Sequence, residues 1–255
     1  MKNILFSISI FTITSCSVSN YYQVYTTVAD GNKSKNDNIL FEDNNCIVSY
    51  NLWEEGGNIG FKLLNKTSAD LTIDLTRSFF VMNGVANSYF QGRTFSNSTS
   101  NSSTISTSYY PTSPYWSVNK VAGTSTNSYA TSFTEQPVKI IPAGTSIIIS
   151  NFLISNERYL NCDLPVFPYS AKRVKTLPFN KANSPFVFSN ILTYVANGDT
   201  NRTENKFFVS EITNYPEKEV VFSTYKSPCG TPLSHSRKVF KKPSPEKFYL
   251  HYSSK

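Results

Sequence analysis

Only two histidines occur in the 255-residue chain, His235 and His251, so any imidazole-based proton transfer must run through one of them. Cys229 lies shortly before His235, near enough in sequence for a Cys–His nucleophile pair. The flanking Ser227-Pro228 and Gly230-Thr231-Pro232 give that cysteine a simpler place, in a turn. Glu54-Glu55 is an acid pair of the kind glycoside hydrolysis uses. Adjacent strand residues point apart, and Gly56-Gly57 sets both at a turn, so the pair reads as solvated charge. The cysteines with His235 show no Cys-x2-Cys or His-x3-His spacing, so no metal centre is read from them. Gly-x-Ser-x-Gly, Walker and Gly-x-Gly-x-x-Gly motifs are missing too. These residue types give no catalytic constellation, no metal site and no cofactor, and a non-enzyme is the expectation.

The first residues, MKNILFSISIFTITSC, combine a positive Lys2 with an apolar run from Ile4 to Ile13. That run has a signal-peptide length and is too short to span a bilayer as a helix. It ends in Ile13-Thr14-Ser15-Cys16, which resembles the bacterial lipobox. The resemblance implies that residues 1–15 are removed and that Cys16 carries acyl chains. Each buried methylene would contribute about 0.8 kcal/mol to membrane attachment. The other reading is an ordinary signal peptide with Cys16 as a disulfide partner; the short apolar run and the absence of an A-x-A-like site favour the lipoprotein. With Cys16 lipidated, Cys46, Cys162 and Cys229 allow one disulfide in three pairings. An oxidising envelope permits a bridge. Cys162–Cys229 is the favoured pair because both lie in proline-rich loops, while Cys46 stands at a strand start.

The elements that would hold these residues are strands. In the stretch from Cys46 to Gly84, Val48, Tyr50 and Leu52 alternate with polar neighbours, as do Ile59, Phe61 and Leu63, and Leu71, Ile73 and Leu75. Period two gives each strand one buried face and one wet face. Gly-Gly-Asn and Asn83-Gly84 supply the positive φ of tight turns. The expected core is Val48, Tyr50, Leu52, Ile59, Phe61, Leu63, Leu71, Ile73, Phe80, Ile148, Phe186 and Phe208. Val138 to Ser150 reads as a hairpin with a fully buried strand around Pro142-Ala143-Gly144-Thr145, and Ser155 to Leu160 as one helical turn. The domain organisation expected is a signal peptide over 1–15, a lipid-anchored linker and first strand over 16–38, and a single β-sandwich domain over 39–255. Within it, residues 94–134 are rich in Ser and Thr with Lys120 as the sole charge, and read as a long mobile insertion. Tyr109, Tyr110, Tyr115 and Trp116 make that insertion either a binding loop with aromatic contacts or a tether without a partner.

Tyr and Phe dominate the apolar residues, and the formal net charge is +7. The basic residues are scattered apart from runs at Lys172–Lys175 and Arg237–Lys242, which fits solvated strand ends near an anionic membrane rather than nucleic acid. The segments YYQVY, EDNNC-x-VSYNLW, EGGNIGF, SFFVMNG, SPFVFSN and FFVSEITNYPE are similar to uncharacterised lipoproteins of the Bacteroidetes. The module from NKT through IPAGTSI resembles the immunoglobulin-like sandwiches of exported bacterial proteins, a likeness of fold only. In such lipoproteins an acidic cluster after the lipidated cysteine marks export to the cell surface. None follows Cys16, so the resemblance implies a domain anchored to the outer membrane and facing the periplasm. The expectation is therefore an all-β, two-layer antiparallel sandwich, immunoglobulin-like, with a long Ser/Thr-rich insertion. Its role would be that of a non-catalytic scaffold or partner-binding lipoprotein. A glycan-binding lipoprotein is the alternative, and a hydrolase is the reading least supported.

Overall fold

The computed structural model describes residues 18–31, 33–35, 38–105 and 123–254. They form a two-layer antiparallel all-β sandwich, as the period-two patterning predicts. The larger layer is built on β1 (Asn20–Ala29), β6 (Leu71–Met82), β10 (Val138–Ile141), β13 (Val187–Ala196), β14 (Asp199–Pro216) and β17 (Lys247–Ser253), in the order β10-β6-β13-β14-β1-β17. Short strands β7 (Val85–Ser88) and β12 (Thr176–Pro178) pair with β6 and β14. The smaller layer runs β11-β5-β4-β3-β2, from β2 (Lys33–Lys35), β3 (Asn38–Glu42), β4 (Cys46–Tyr50), β5 (Phe61–Asn65) and β11 (Ser146–Ile149). Two ribbons stand apart from both sheets: β8 (Thr94–Ile105) with β9 (Gly123–Thr134), and β15 (Val221–Lys226) with β16 (Pro232–Phe240). Among the described residues, helix is limited to single turns at Ala171–Arg173 and Glu217–Val220.

Aromatic rings fill the space between the layers. Tyr25 stacks on Phe248 at 4.4 Å and Phe188 on Phe207 at 5.2 Å, while Tyr50 of the smaller sheet meets Phe207 edge-on at 5.2 Å. Such contacts add to the burial of apolar area, the main driving force of the fold. Nine of the expected core residues, from Val48 to Phe80, are buried. Phe186 is partly buried against the core, and Phe208 is half-buried. Its neighbours Phe207 and Val209 take the inward positions on β14 instead.

Ile148 is 72% exposed, which corrects the expected fully buried strand. β11 is the outermost strand of its sheet, so alternation sends Ile149 inward and Ile148 to solvent. The expected hairpin over Val138–Ser150 is also corrected. β10 pairs with β6 in one layer and β11 with β5 in the other, so Pro142–Thr145 is an arch between the sheets. The β5–β6 connection crosses the same gap. Buried Asn65 ties the two crossovers together by donating to the Ala69 carbonyl at 2.8 Å and the Ile141 carbonyl at 2.9 Å.

β1 lies between β14 and β17, so the sandwich includes it and the expected boundary at residue 39 falls too late. Ser155 to Leu160 has no helical turn; the Ser155 hydroxyl instead closes a bend on the Glu157 N–H. Gly56 and Gly57 do adopt positive φ, at 80° and 75°, but in an irregular segment rather than a hairpin. The Gly56 N–H donates to the Tyr249 carbonyl, and this segment covers the outer edge of β17. The ends of the 94–134 insertion are strands, paired from Thr94 opposite Thr134 to Ile105 opposite Gly123.

Candidate functional site

Polar side chains within the sandwich are hydrogen-bonded to one another. The Tyr50 hydroxyl accepts from Asn205 at 2.7 Å and Asn190 at 3.3 Å, and the Asn190 side-chain oxygen accepts from Tyr89 at 2.7 Å. Burial pushes the Tyr50 and Tyr89 phenols up from their ordinary value. They stay neutral donors and acceptors that bind one layer to the other. At the β3–β4 turn, Asp43 accepts from the Tyr194 hydroxyl at 2.6 Å and from the backbone N–H groups of Asn45 and Cys46. Burial works to raise this carboxyl, but those donors outweigh it and hold it below its usual value. Burial, with Asp43 beside it, pushes the Cys46 thiol up to about 12. This pairing stabilises the turn and leaves no reactive thiolate near neutral pH.

The aromatic residues of β1, β16 and β17 build an accessible site on the outer face of the larger sheet. Phe240 packs against Tyr249 at 4.6 Å and against Trp53 at 5.0 Å, and Trp53 meets Tyr249 at 5.2 Å. These contacts hold Trp53 at the wall of a cavity of about 270 Å³, with Val24, Tyr215 and Glu219 around it. Lys241, Lys242 and Lys247 line the same cavity. Lys241 donates to the Lys218 carbonyl at 2.5 Å. An apolar aromatic wall beside lysines suits a small ring-bearing anion: the ring lies against indole and phenol, the acid against ammonium.

The flank formed by β10 and β11 is a second candidate. These strands end their two sheets, and no strand among the described residues pairs with their outer edges. Ile140 is 66% exposed and Ile148 72%. A cavity of about 720 Å³ runs between them, floored by Leu75, Ile147 and Ile149 and closed by Arg93 and Glu135 at the root of the β8–β9 ribbon. Glu135 accepts from the Arg93 guanidinium at 2.6 Å and from the backbone N–H of Gln91 and Arg93. The Arg93 hydrogen bond, followed by those N–H groups, brings its carboxyl down to about 2 against a burial effect in the opposite direction.

Cys16 and the four aromatics Tyr109, Tyr110, Tyr115 and Trp116 lie outside the described residues. Cys162 and Cys229 are both exposed and unbonded, so the expected bridge is not formed. Cys229 caps the tip of the β15–β16 hairpin, in a turn closed on itself by Ser227 and Thr231, while Cys162 belongs to the loop after β11. His235 stands on the exposed strand β16 with the Ser234 hydroxyl at 2.7 Å from its Nδ1. Glu54 and Glu55 are exposed at the turn. Among the described residues no group of His, Cys, Asp and Glu could hold a metal, and no helix is long and apolar enough to cross a membrane. Sequence patterning passes over Trp53, Tyr215 and Lys247, since they converge only when β14 and β17 flank β1; the signal available was Trp53 breaking the alternation after Leu52. Comparison with protein-family models, curated proteins and solved structures finds no match to this chain.

Proposed function

We propose that this chain is a non-catalytic envelope lipoprotein, held to the outer membrane through Cys16 and facing the periplasm, that binds a protein partner along the β10–β11 flank. The observation that carries the reading is the two sheet edges left unpaired among the described residues, with exposed Ile140 and Ile148 lining one cavity between them. Soluble sandwiches blunt their edges with charge, proline or covering loops; among the described residues the β17 edge is covered, and no strand pairs with the outer edges of β10 and β11. An extended segment of a partner would add to such an edge through backbone hydrogen bonds and bury the isoleucines. The test places a photocrosslinking residue at position 148 or 140 in the anchored protein, with position 202 on β14 as a control. One discrete adduct from 148 and 140, absent from 202 and lost in Ile140→Asp, is the expected result. Equal labelling at all three positions would overturn it.

The Trp53 cavity favours a second reading, a site for an acidic saccharide. Its aromatic wall and lysines match the ring face and carboxylate of a uronate. Titration with acidic and neutral oligosaccharides discriminates. Binding of the acidic series alone, weakened by Lys242→Glu with the melting temperature unchanged, supports it; no binding of either series removes it.

A further inference from the structure

We infer that the end of the sandwich at which β1 begins is a surface for a bilayer with anionic headgroups. β1 starts at Asn20, four residues beyond Cys16. An extended chain of that length spans at most roughly 14 Å. A bilayer holding Cys16 would therefore lie within reach of this end, a placement that rests on the proposed lipidation; the surface chemistry stands apart from it.

The loop from Ser150 to Lys175 is fixed onto this end. Buried Gln23 donates to the Tyr159 carbonyl at 2.9 Å and accepts from the Tyr159 N–H at 2.8 Å. Asn214 donates to the Pro165 carbonyl at 2.9 Å, and the Tyr252 hydroxyl to the Val166 carbonyl at 2.6 Å. Phe167 packs on Tyr21 at 5.2 Å. So held, the loop carries exposed Leu160, Phe167 and Tyr169, at 68%, 47% and 71%. Arg173 donates to the Tyr169 hydroxyl at 3.0 Å. Thr176 pairs with Thr213, and β14 ends shortly after at Pro216, so the Lys172–Lys175 run leads into β12 from this same end.

The β15–β16 hairpin also starts here, directly after Pro216 and the Glu217–Val220 turn. It is exposed along nearly all of both strands and carries Phe222, Tyr225 and Leu233 among Lys226 and Arg237. Loop and hairpin together hold most of the chain's surplus of positive charge. Aromatic and aliphatic side chains set among lysines and arginines suit the boundary of acyl chain and headgroup, where rings insert and cations meet phosphate. Attachment would come from the acyl chains. The surface would fix the orientation, standing the sandwich on its end with the β10–β11 flank open to the side.

The test uses residues 17–255, which contain the whole described fold and lack Cys16, in cosedimentation with vesicles of phosphatidylcholine alone or mixed with phosphatidylglycerol. Salt-sensitive binding to the mixed vesicles only is expected. The double variant Lys172→Glu/Arg173→Glu should weaken it at least about tenfold, given the contribution of each basic residue near an anionic surface. Phe167→Ser should weaken it as well, and Lys62→Glu, on the outer face of the smaller sheet, should leave it unchanged. All four substituted side chains are at least partly exposed, and a melting curve checks each fold. Absence of binding to the mixed vesicles, or an equal loss in Lys62→Glu, would overturn the inference. Palmitate labelling at Cys16 reads the anchor separately, so failure of the anchor and failure of the surface are distinguishable.

Discussion

The Cys46 thiol is shielded by burial and by the carboxylate of Asp43, with which it shares a contact of 3.5 Å. A thiol held near 12 is almost wholly protonated at pH 8, and the thiolate is the reacting form. Alkylation of the native protein at that pH should therefore modify Cys162 and Cys229, which are exposed, and spare Cys46 until denaturant is added; mass spectrometry of the peptides reads this directly. Gly57 is a second residue whose environment sets its identity. Its φ is 75°, and a Cβ there would lie 2.7 Å from the Phe248 ring and 2.8 Å from Ile154. Strain in the left-handed region and overpacking together put Gly57→Ala at about 2–4 kcal/mol of lost stability, measurable by urea denaturation. A loss under about 0.5 kcal/mol, the range of ordinary surface changes, would show that the segment covering β17 yields easily. The positive φ of this glycine was legible in Gly-Gly-Asn. Its contact with Phe248 was not, because residues so far apart meet only through the pairing of β17 with β1.

At the scale of elements, strands buried on one face were legible. β4, β5 and the first half of β6 each alternate with period two, and burial follows that alternation. Two kinds of element were not. Residues 147–149 are three successive isoleucines, so their composition matches a central strand, and only their place at the end of the sheet exposes Ile148. Pro142–Thr145 has turn residues that serve a hairpin or an arch equally, and the choice is made by Asn65 and by the pairing of β10 and β11 with different sheets. The root of the β8–β9 ribbon provides the prediction at this scale. Glu135 has a folded-state pKa of about 2 against an ordinary 4.5. A depressed carboxylate adds stability that is fully present above its unfolded value and is lost as pH falls through the folded one. The advantage of the native protein over Glu135→Gln should thus be greatest above pH 4.5 and shrink as pH falls towards 2. Urea midpoints of both proteins across that range check it. At neutral pH the difference should be about 1–3 kcal/mol, the range for a buried charged hydrogen-bond partner. A constant gap at all pH values would show that Glu135 acts by shape alone.

For the whole molecule, the question is whether the β8–β9 ribbon belongs to the folding unit or is carried by it. Twelve residues on each strand, at about 3.4 Å per residue, make an excursion of roughly 40 Å. A two-stranded ribbon alone is marginal in water, so this one depends on the body at its root. The core cluster of described residues draws on both sheets and the loops between them, and it is expected to hold without residues 95–133. Thr94 and Thr134 face each other across the ladder, so an Asn-Gly turn joining them would close a short hairpin above the Arg93–Glu135 clamp. A chain shortened in this way should keep its cooperative melting transition, with the midpoint within about 4 °C of the native value, the shift expected for a change of no more than about 1 kcal/mol in a domain of this size. Loss of the transition would show that the ribbon completes the core. The same variant separates two sites for a protein partner. If the β10–β11 flank holds the partner, the crosslinked adduct at position 148 persists in the shortened chain. If the adduct disappears while the fold remains, the contact runs through residues 95–133, and the aromatic residues Tyr109, Tyr110, Tyr115 and Trp116 become the groups to substitute next.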